Sequence, residues 1–414
     1  MFRFVNVLSL CVLLCGCAAT TEAQLDSVRQ NYMTTASTDT NFSGKNNLDL
    51  LITADGLFHS GDYDAADAAY EEFNRRNIDT TGGSFSREAA ALLFGASVNE
   101  YKPYMMDALF VSYYQLWAAL ATRRYNDARV IINQSYARQQ DMSLAYKKNI
   151  ESNQNRLVEN DELSKKLKSE NSMWSAYSDI MNPALMYLSG IYFLNNSDWA
   201  DARTYLSRAN GMVSNNSFVA TDLKLAETHK LPENVVWIFI EDGFAPKLYE
   251  ERISLPVFMR DGMSIVTIAM SEPEFISNFV NISGAQKLAD VDAMFMTEYK
   301  EYRTNDALRA LASATGRGAL QATMYNSRSS ASSLMGVLST IYSEVTTNAE
   351  VRTWPTLPKT ISVLRRENNK SGLIELRSNG NLVTDISVPY NGSNYLVYVR
   401  IGPNNIDTKV IELK

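Results

Sequence analysis

A short pattern that recurs three times in the N-terminal half limits the folds open to this chain of 414 residues. Each copy holds an aromatic residue, two further positions and an alanine, within residues 61–66, 123–129 and 197–203. Around these copies apolar residues recur at three- and four-residue steps, which is typical of amphipathic helices. The copies lie roughly two units of about 34 residues apart, the length of a helix pair. Because one helix pair cannot bury its apolar face alone, the pattern predicts that several pairs stack.

The first copy resembles a tetratricopeptide repeat (TPR). Gly61, Tyr63, Ala66 and Tyr70 fall where such repeats place their glycine, aromatic, small and aromatic residues. The resemblance implies that the glycine starts the second helix, the aromatic fills the gap between paired helices, and the alanine permits close approach. The other two copies lack the turn glycine, so a generic all-helical domain stays open as the alternative. We predict a TPR-like helical solenoid over residues 48–230.

The first seventeen residues form a targeting signal and are not predicted to be part of the folded domains. A short positive start is followed by an apolar stretch that is too short to span a membrane as a mature helix. Leu14-Cys15-Gly16-Cys17 then resembles the bacterial lipobox, whose last cysteine receives a diacylglycerol before cleavage. The resemblance implies a signal peptide at 1–16 and a lipid attached to Cys17. Because Ala18 rather than aspartate follows, it also implies an outer-membrane lipoprotein that faces the periplasm.

The rest of the chain divides into further segments by composition. Residues 17–47 lack sustained apolar periodicity, which predicts a flexible tether. Runs of β-branched and aromatic residues, beginning at 235–240, predict strands in a mixed strand and helix domain at 231–350. Five short runs separated by Asn and Gly turns predict a small antiparallel β module at 351–414. The predicted fold class is therefore α+β with several domains.

Residue counts exclude several kinds of chemistry. The chain has three cysteines, all before residue 18, and two histidines, too few for a zinc site built from these residues. We predict no metal and no cofactor. A formal net charge of −7 disfavours a general binder of phosphate backbones, so nucleic acid is not an expected partner. Nucleophile-elbow, P-loop and zincin motifs do not occur, and we predict no catalytic residue and no enzymatic activity.

Candidate partner-binding residues lie in the helical region. Tyr101 and Tyr104 stand near basic residues, and the concave faces of helical solenoids use tyrosine and arginine to hold partner segments. Arg129 and Arg203 occupy equivalent positions after Asp-Ala, so together they could bind an acidic or C-terminal peptide. Two alternatives stay open. The tyrosines could belong to the core, and each arginine could form a surface pair with an aspartate.

Two further features keep other functions open. The small-residue stretch at 310–336 allows close helix approach, so it could form a homo-oligomer or membrane contact, with packing inside the chain as the alternative. A cluster of acids near predicted strand ends could serve a carboxylate-dependent glycan hydrolase, with turn formation and ion pairing as the alternative. This cluster consists of Glu241, Asp242, Glu250 and Glu251.

The lipobox, the helical repeats, the strands around Trp237 and the later Trp354-Pro355 together resemble an uncharacterised family of bacterial envelope lipoproteins with N-terminal TPR-like repeats. The resemblance implies a membrane-anchored periplasmic protein that acts as a non-catalytic protein-binding scaffold or assembly factor. Its partner would be an envelope protein held in the groove of the helical repeats. A regulatory lipoprotein that activates a cell-wall synthase is the alternative.

Overall fold

Helices make up the N-terminal half of the chain and strands dominate the C-terminal part, which confirms the predicted α+β class. The computed structural model describes residues 16–31, 33, 40–77, 101–157, 161–173, 176–213, 215–259, 262–304, 307 and 349–413. The expected signal peptide up to residue 15 and the small-residue stretch at 310–336 lie outside these described residues.

The described residues form ten helices and nine strands. The helices are α1 (Gly16–Asn31), α2 (Asn47–Ser60), α3 (Tyr63–Asn77), α4 (Met105–Ala121), α5 (Tyr125–Leu157), α6 (Asp161–Ser172), α7 (Pro183–Asn195), α8 (Trp199–Met212), α9 (Ser217–Glu227) and α10 (291–304). The strands are β1 (Val235–Asp242), β2 (Lys247–Met259), β3 (Gly262–Glu274), β4 (Gln286–Asp290), β5 (Thr360–Glu367), β6 (Leu373–Ser378), β7 (Asn381–Ser387), β8 (Tyr395–Ile401) and β9 (Ile406–Glu412).

The three copies of the sequence pattern form the turns of three helical hairpins, namely α2–α3, α4–α5 and α7–α8. One residue in each turn has a left-handed backbone, with φ of 85° at Gly61, 58° at Arg123 and 59° at Ser197. The next residue donates its N–H back across the turn over 2.8–3.0 Å in all three copies. The alanine of each copy is fully buried. The repeated pattern therefore has one repeated local structure.

Helix ends in this region follow their sequence signals. Asn46 caps α2 by accepting the N–H groups of Leu48 and Asp49, and Asn182 caps α7 in the same way. Side-chain caps of this kind satisfy the first N–H groups of a helix, which have no partner within it. The hairpins therefore start and stop at residues that the sequence itself marks.

A five-stranded sheet with the order β4-β5-β1-β8-β9 holds the C-terminal part together. β1 pairs with β5 antiparallel and with β8 in parallel. The expected boundary at residue 350 therefore runs through one sheet, and the strands after 351 do not form an antiparallel module of their own. The physical reason is that β1 is buried along its whole length, so the main-chain N–H and C=O groups on both of its edges need a neighbouring strand as partner. β2–β3 and β6–β7 form separate two-stranded sheets.

The five-stranded sheet lies between two layers. Trp237 and Phe239 of β1 belong to the same apolar core as the helical hairpins. Val236 and Ile238, on the other face of β1, pack in a second core with residues of β6 and β7. The helical region and the sheet thus share one core, and β6–β7 covers the opposite face.

The segment expected to be a flexible tether is partly helical. α1 covers Gly16–Asn31, and Leu25 belongs to the core that the helices share with the sheet. The main-chain oxygen of Met33 accepts a hydrogen bond of 3.3 Å from Asn405 Nδ2, next to β9. Burial of Leu25 stabilises the docking of this helix. Because this segment lacks sustained apolar periodicity, the sequence did not indicate such a contact.

Candidate functional site

A groove opens between the first and second helical hairpins. Its walls are α3 and α5, its floor includes Gln115 of α4, and its volume is about 600 Å³. Asp67, Glu71 and Asn74 lie at intervals of four and three residues in α3, so they share one face of that helix. Gln134 and Arg138 share a face of α5 for the same reason. Helical spacing therefore places polar side chains from three helices around one cleft.

A chain of hydrogen bonds crosses the groove floor. Arg124 Nη1 donates to Asp67 Oδ2 over 2.7 Å, and Asp67 Oδ1 accepts from Gln115 Nε2 over 2.9 Å. Gln115 Oε1 in turn accepts from Asn74 Nδ2 over 3.0 Å. Because a carboxylate only accepts, Asp67 sets the direction of the whole chain. Asn74 Oδ1 is left buried with no hydrogen-bond partner among the described residues.

Arg138 of α5 also lines the groove, outside this chain of hydrogen bonds. Its side chain is buried, with 7% of the residue exposed. Its Nη1 donates to Ser112 Oγ over 3.1 Å, while its Nε is buried with no partner among the described residues. Burial lowers the pKa of Arg138 to about 10, and no carboxylate opposes that effect. The groove therefore contains a desolvated guanidinium without an anion.

Glu71 lines the same groove and is a carboxylate without a basic partner among the described residues. Burial raises the pKa of its carboxyl group, and the nearby Asp67 adds to the increase, while Arg124 opposes it. No ion pair of Glu71 occurs within the described part of the chain. The groove therefore offers a guanidinium and a carboxylate that both lack full charge partners.

The two predicted tyrosines do not reach the groove. Tyr101 is buried, and its hydroxyl donates to Asp107 Oδ2 over 2.6 Å. Tyr104 is buried against the rings of Phe295 and Tyr302, with centroids 5.2 and 5.5 Å away. This burial corrects the expectation of a binding role, because both side chains complete the core near the start of α4 instead of facing a partner.

The two predicted arginines lie on a different hairpin boundary. Arg129 Nη2 of α5 contacts Asp198 over 2.8 Å and Asp201 over 3.1 Å, so it joins the second hairpin to the third. Arg203 is exposed on α8. Because Arg129 already has two carboxylate partners, the two arginines do not form the expected pair of ligands for an acidic peptide. The alternative, that each arginine pairs with an aspartate at the surface, holds for Arg129. Its two aspartate partners, however, belong to the third hairpin and not to its own.

Sequence reasoning missed the residues that line the groove, although one signal for them was present. Apart from Ser112, Gln115 is the one polar side chain in the apolar and aromatic run of α4 after Asp107. A buried amide of this kind needs hydrogen-bond partners from its neighbours, so it marks a polar contact between helices. Arg138 offers no such signal, because α5 is polar along most of its length.

The acids proposed for a hydrolase lie in separate environments. Glu241 is buried and accepts hydroxyl hydrogen bonds from Tyr114 over 3.1 Å and Tyr398 over 2.9 Å. Asp242 accepts from the N–H groups of Phe279 and Val280. The remaining two acids lie on β2, where Glu250 pairs with Arg252 over 3.1 Å and Glu251 is exposed. These contacts are structural, and the described residues bring no two of the acids to one cleft.

Cys17 lies in the first turn of α1. Within the described ranges, no helix combines the length and apolar character needed to cross a membrane. The same residues contain no group of three His, Cys, Asp or Glu side chains suited to a metal ion. Comparison with protein-family models, with curated proteins and with solved structures finds no match to this chain.

Proposed function

We propose that this protein is a lipid-anchored lipoprotein of the bacterial outer membrane that faces the periplasm and binds another envelope protein without catalysing a reaction. The binding surface is the groove between the first and second helical hairpins. The observation that carries the proposal is the polar cleft of about 600 Å³ lined by side chains of α3, α4 and α5. Clefts between stacked helix pairs are the surfaces that helical repeat proteins use to hold partners.

The three matching hairpin turns support a TPR-like arrangement. Each turn has one left-handed residue, and adjacent hairpins are joined by arginine and aspartate contacts. Arg124 of the second hairpin contacts Asp67 of the first over 2.7 Å, and Arg129 contacts Asp198 of the third over 2.8 Å. Such contacts set the spacing of neighbouring hairpins, and this spacing shapes the groove.

The anchor rests on the lipobox and is tested by exchanging its cysteines. Cys17→Ser removes the thiol that would carry the lipid, so the protein is expected to move from the membrane fraction to the soluble fraction. Cys15→Ser is the matched control, because the anchor model places it in the removed signal peptide. Retention of Cys17→Ser in the membrane fraction would contradict the anchor.

The partner is tested by photo-crosslinking in cells. A photoreactive amino acid at Val130 or Gln134 stands in the groove wall, and Val130 is 52% exposed. The matched control position is Leu382 on β7, which is 53% exposed and lies away from the groove. We expect both groove positions to capture the same envelope protein and Leu382 not to capture it. The same product from all three positions, or none from the groove, would contradict the proposal.

A further inference from the structure

Four arginines of the described residues are almost fully buried, and one differs from the others. Arg29, Arg303 and Arg400 each lie within 4.0 Å of a carboxylate, at 2.8, 2.7 and 3.9 Å from Asp26, Glu170 and Glu241. Arg138 has no carboxylate within that distance in the described part of the chain. A buried charge without a counter-ion is costly, so its presence calls for an explanation outside ordinary core packing.

Arg138 lines the groove and has a side-chain donor with no acceptor among the described residues. Ser112 Oγ accepts from Nη1 and itself donates to the main-chain oxygen of Ala108 over 3.1 Å, so its single O–H is already used. The Nε–H of Arg138 is buried without an acceptor, and Arg138 lines the groove. A second guanidinium on the groove lining, that of Arg124, has a buried Nη2 without an acceptor. Guanidinium groups of this kind are suited to bind a carboxylate through charge-assisted hydrogen bonds.

We propose that the groove binds an extended peptide segment of a partner protein and that Arg138 receives a carboxylate of this segment. The inference rests on the proposed function, since it names the chemistry of the partner at the same groove. Asn74 Oδ1 adds a buried acceptor on the groove floor, which suits an N–H group of the bound main chain. The groove thus offers donors for a carboxylate of the peptide and an acceptor for one of its main-chain N–H groups.

The acids that surround the groove limit which carboxylates fit. Asp67, Glu71, Glu72 and Asp127 all line it, so a run of negative charges would meet repulsion. Asp67 and Asp127 are paired with Arg124, over 2.7 and 3.2 Å, whereas Glu71 forms no ion pair among the described residues. The site therefore selects a single carboxylate flanked by neutral or basic residues, and a basic side chain near Glu71 would complete the charge balance.

Binding to immobilised pentapeptides tests this inference with the purified full chain. All peptides are acetylated, and they form three libraries: Asp-centred and amidated, Asn-centred and amidated, and Asn-centred with a free C-terminal carboxylate. We expect the protein to bind one of the two carboxylate libraries about tenfold more tightly than the amidated Asn library, as charge-assisted hydrogen bonds imply. The preferred library identifies the carboxylate as a side chain or a chain terminus.

Substitutions at Arg138 assign the preference to this residue. Arg138→Met keeps an unbranched apolar side chain in place of the arginine stem and removes an unpaired buried charge, so its melting temperature is expected to stay equal or rise. The same variant is expected to lose the preference for a carboxylate, while Arg138→Lys keeps part of it. Arg203→Met, on the exposed face of α8, is the matched control and should retain the full preference.

Three results would overturn the inference, and they bear differently on the proposed function. Equal binding of all three libraries, or a preference that survives Arg138→Met, would show that Arg138 does not receive a carboxylate, while groove binding itself would stand. Failure to bind any peptide, combined with no capture at Val130 in cells, would overturn the inference and the proposed function together.

Discussion

At the scale of single residues, the hairpin turns show why the repeat pattern lacks a constant glycine. Gly61, Arg123 and Ser197 all adopt a left-handed backbone, which costs a residue with a side chain about 1 kcal/mol more than glycine. The missing glycines counted against a strict TPR pattern in the sequence. The structure instead has the same turn in all three hairpins, formed at an energetic cost in two of them.

This cost can be measured by exchanging the turn residues. Arg123→Gly and Ser197→Gly are each expected to raise the free energy of unfolding by about 1 kcal/mol, because glycine adopts the left-handed region freely. Gly61→Ala should lower it by a similar amount. Urea denaturation checks all three variants. Destabilisation by Arg123→Gly would show that its exposed contact with Glu412, at 3.6 Å, outweighs the backbone effect.

Two buried acids near the start of α4 predict how stability depends on pH. Glu298 of α10 accepts the N–H groups of Met105 and Met106 over 2.8 and 3.1 Å. Burial raises the pKa of Glu298 to about 8 and that of Asp107 to about 7. The folded protein therefore keeps protons that the unfolded chain releases above its ordinary carboxyl pKa values of about 4.

The sign of this effect is set by proton binding. Between about pH 4 and pH 8 the unfolded state binds fewer protons at these two groups, so the free energy of unfolding falls as pH rises. Urea denaturation at pH 5.5, 7.0 and 8.5 should show progressively lower stability. Glu298→Gln should weaken this dependence. Glu72→Gln should leave it unchanged, since pairing with Arg75 and Arg76 lowers the pKa of Glu72 to about 2. Stability that rises over this range would contradict the assignment.

At the scale of elements, Gly190 of α7 marks a close contact between α7 and α8. A Cβ atom at this position would lie 2.6 Å from Leu206 Cγ and 3.2 Å from Leu206 N in α8. Gly190→Ala is therefore expected to destabilise the protein by about 1–3 kcal/mol through overpacking. Gly211→Ala is the control, because its Cβ would meet open space and should add up to about 1 kcal/mol of helix stability. Thermal unfolding distinguishes the two, and equal effects would contradict close packing of α7 on α8.

Element types were largely predictable from local sequence, while their partners were not. The extended runs at 235–240, 248–257 and 264–269 are all strands, because β-branched and aromatic residues favour pleated, buried surfaces. The pairing of β1 with β5 and β8 joins residues more than a hundred positions apart. No local pattern encodes such pairing. For that reason the domain boundary expected at residue 350 falls between strands that belong to one sheet.

At the scale of the whole molecule, Asp222 joins the helical region to the sheet. It accepts from Tyr187 of α7 over 2.6 Å, from Trp237 of β1 over 2.7 Å and from Arg365 of β5 over 2.9 Å. Burial raises the pKa of its carboxyl group, and the Arg365 guanidinium and the hydrogen bonds oppose that effect. One fully buried carboxylate therefore connects three elements from the two parts that share a core.

Removal of this carboxylate should destabilise both parts together. Asp222→Ala leaves the buried donors of Tyr187 and Trp237 and the half-buried guanidinium of Arg365 without this acceptor, and we expect a loss of about 3–5 kcal/mol. Helical circular dichroism and tryptophan fluorescence should change in one transition that moves to lower denaturant. Asp385→Ala, on the exposed face of β7, should change stability by about 0.5 kcal/mol or less. Separate transitions would contradict a shared core.

The candidate site was less accessible to sequence reasoning than the fold. The prediction of a groove in the helical repeats placed it at Tyr101, Tyr104, Arg129 and Arg203, whereas the described groove is lined by Asn74, Gln115 and Arg138. Residue type alone did not separate the buried Tyr104 from an exposed binding aromatic. The burial of Arg138 without an anion is a property of three helices together, so it emerges only from the folded chain.

Hydrogen exchange on the complex with the captured partner tests most directly whether the groove is the binding surface. We predict slower exchange in peptides from α3, α4 and α5 when the partner is added, and unchanged exchange in β6 and β7. Protection limited to β6 and β7, or no protection in α3 and α5, would contradict the account.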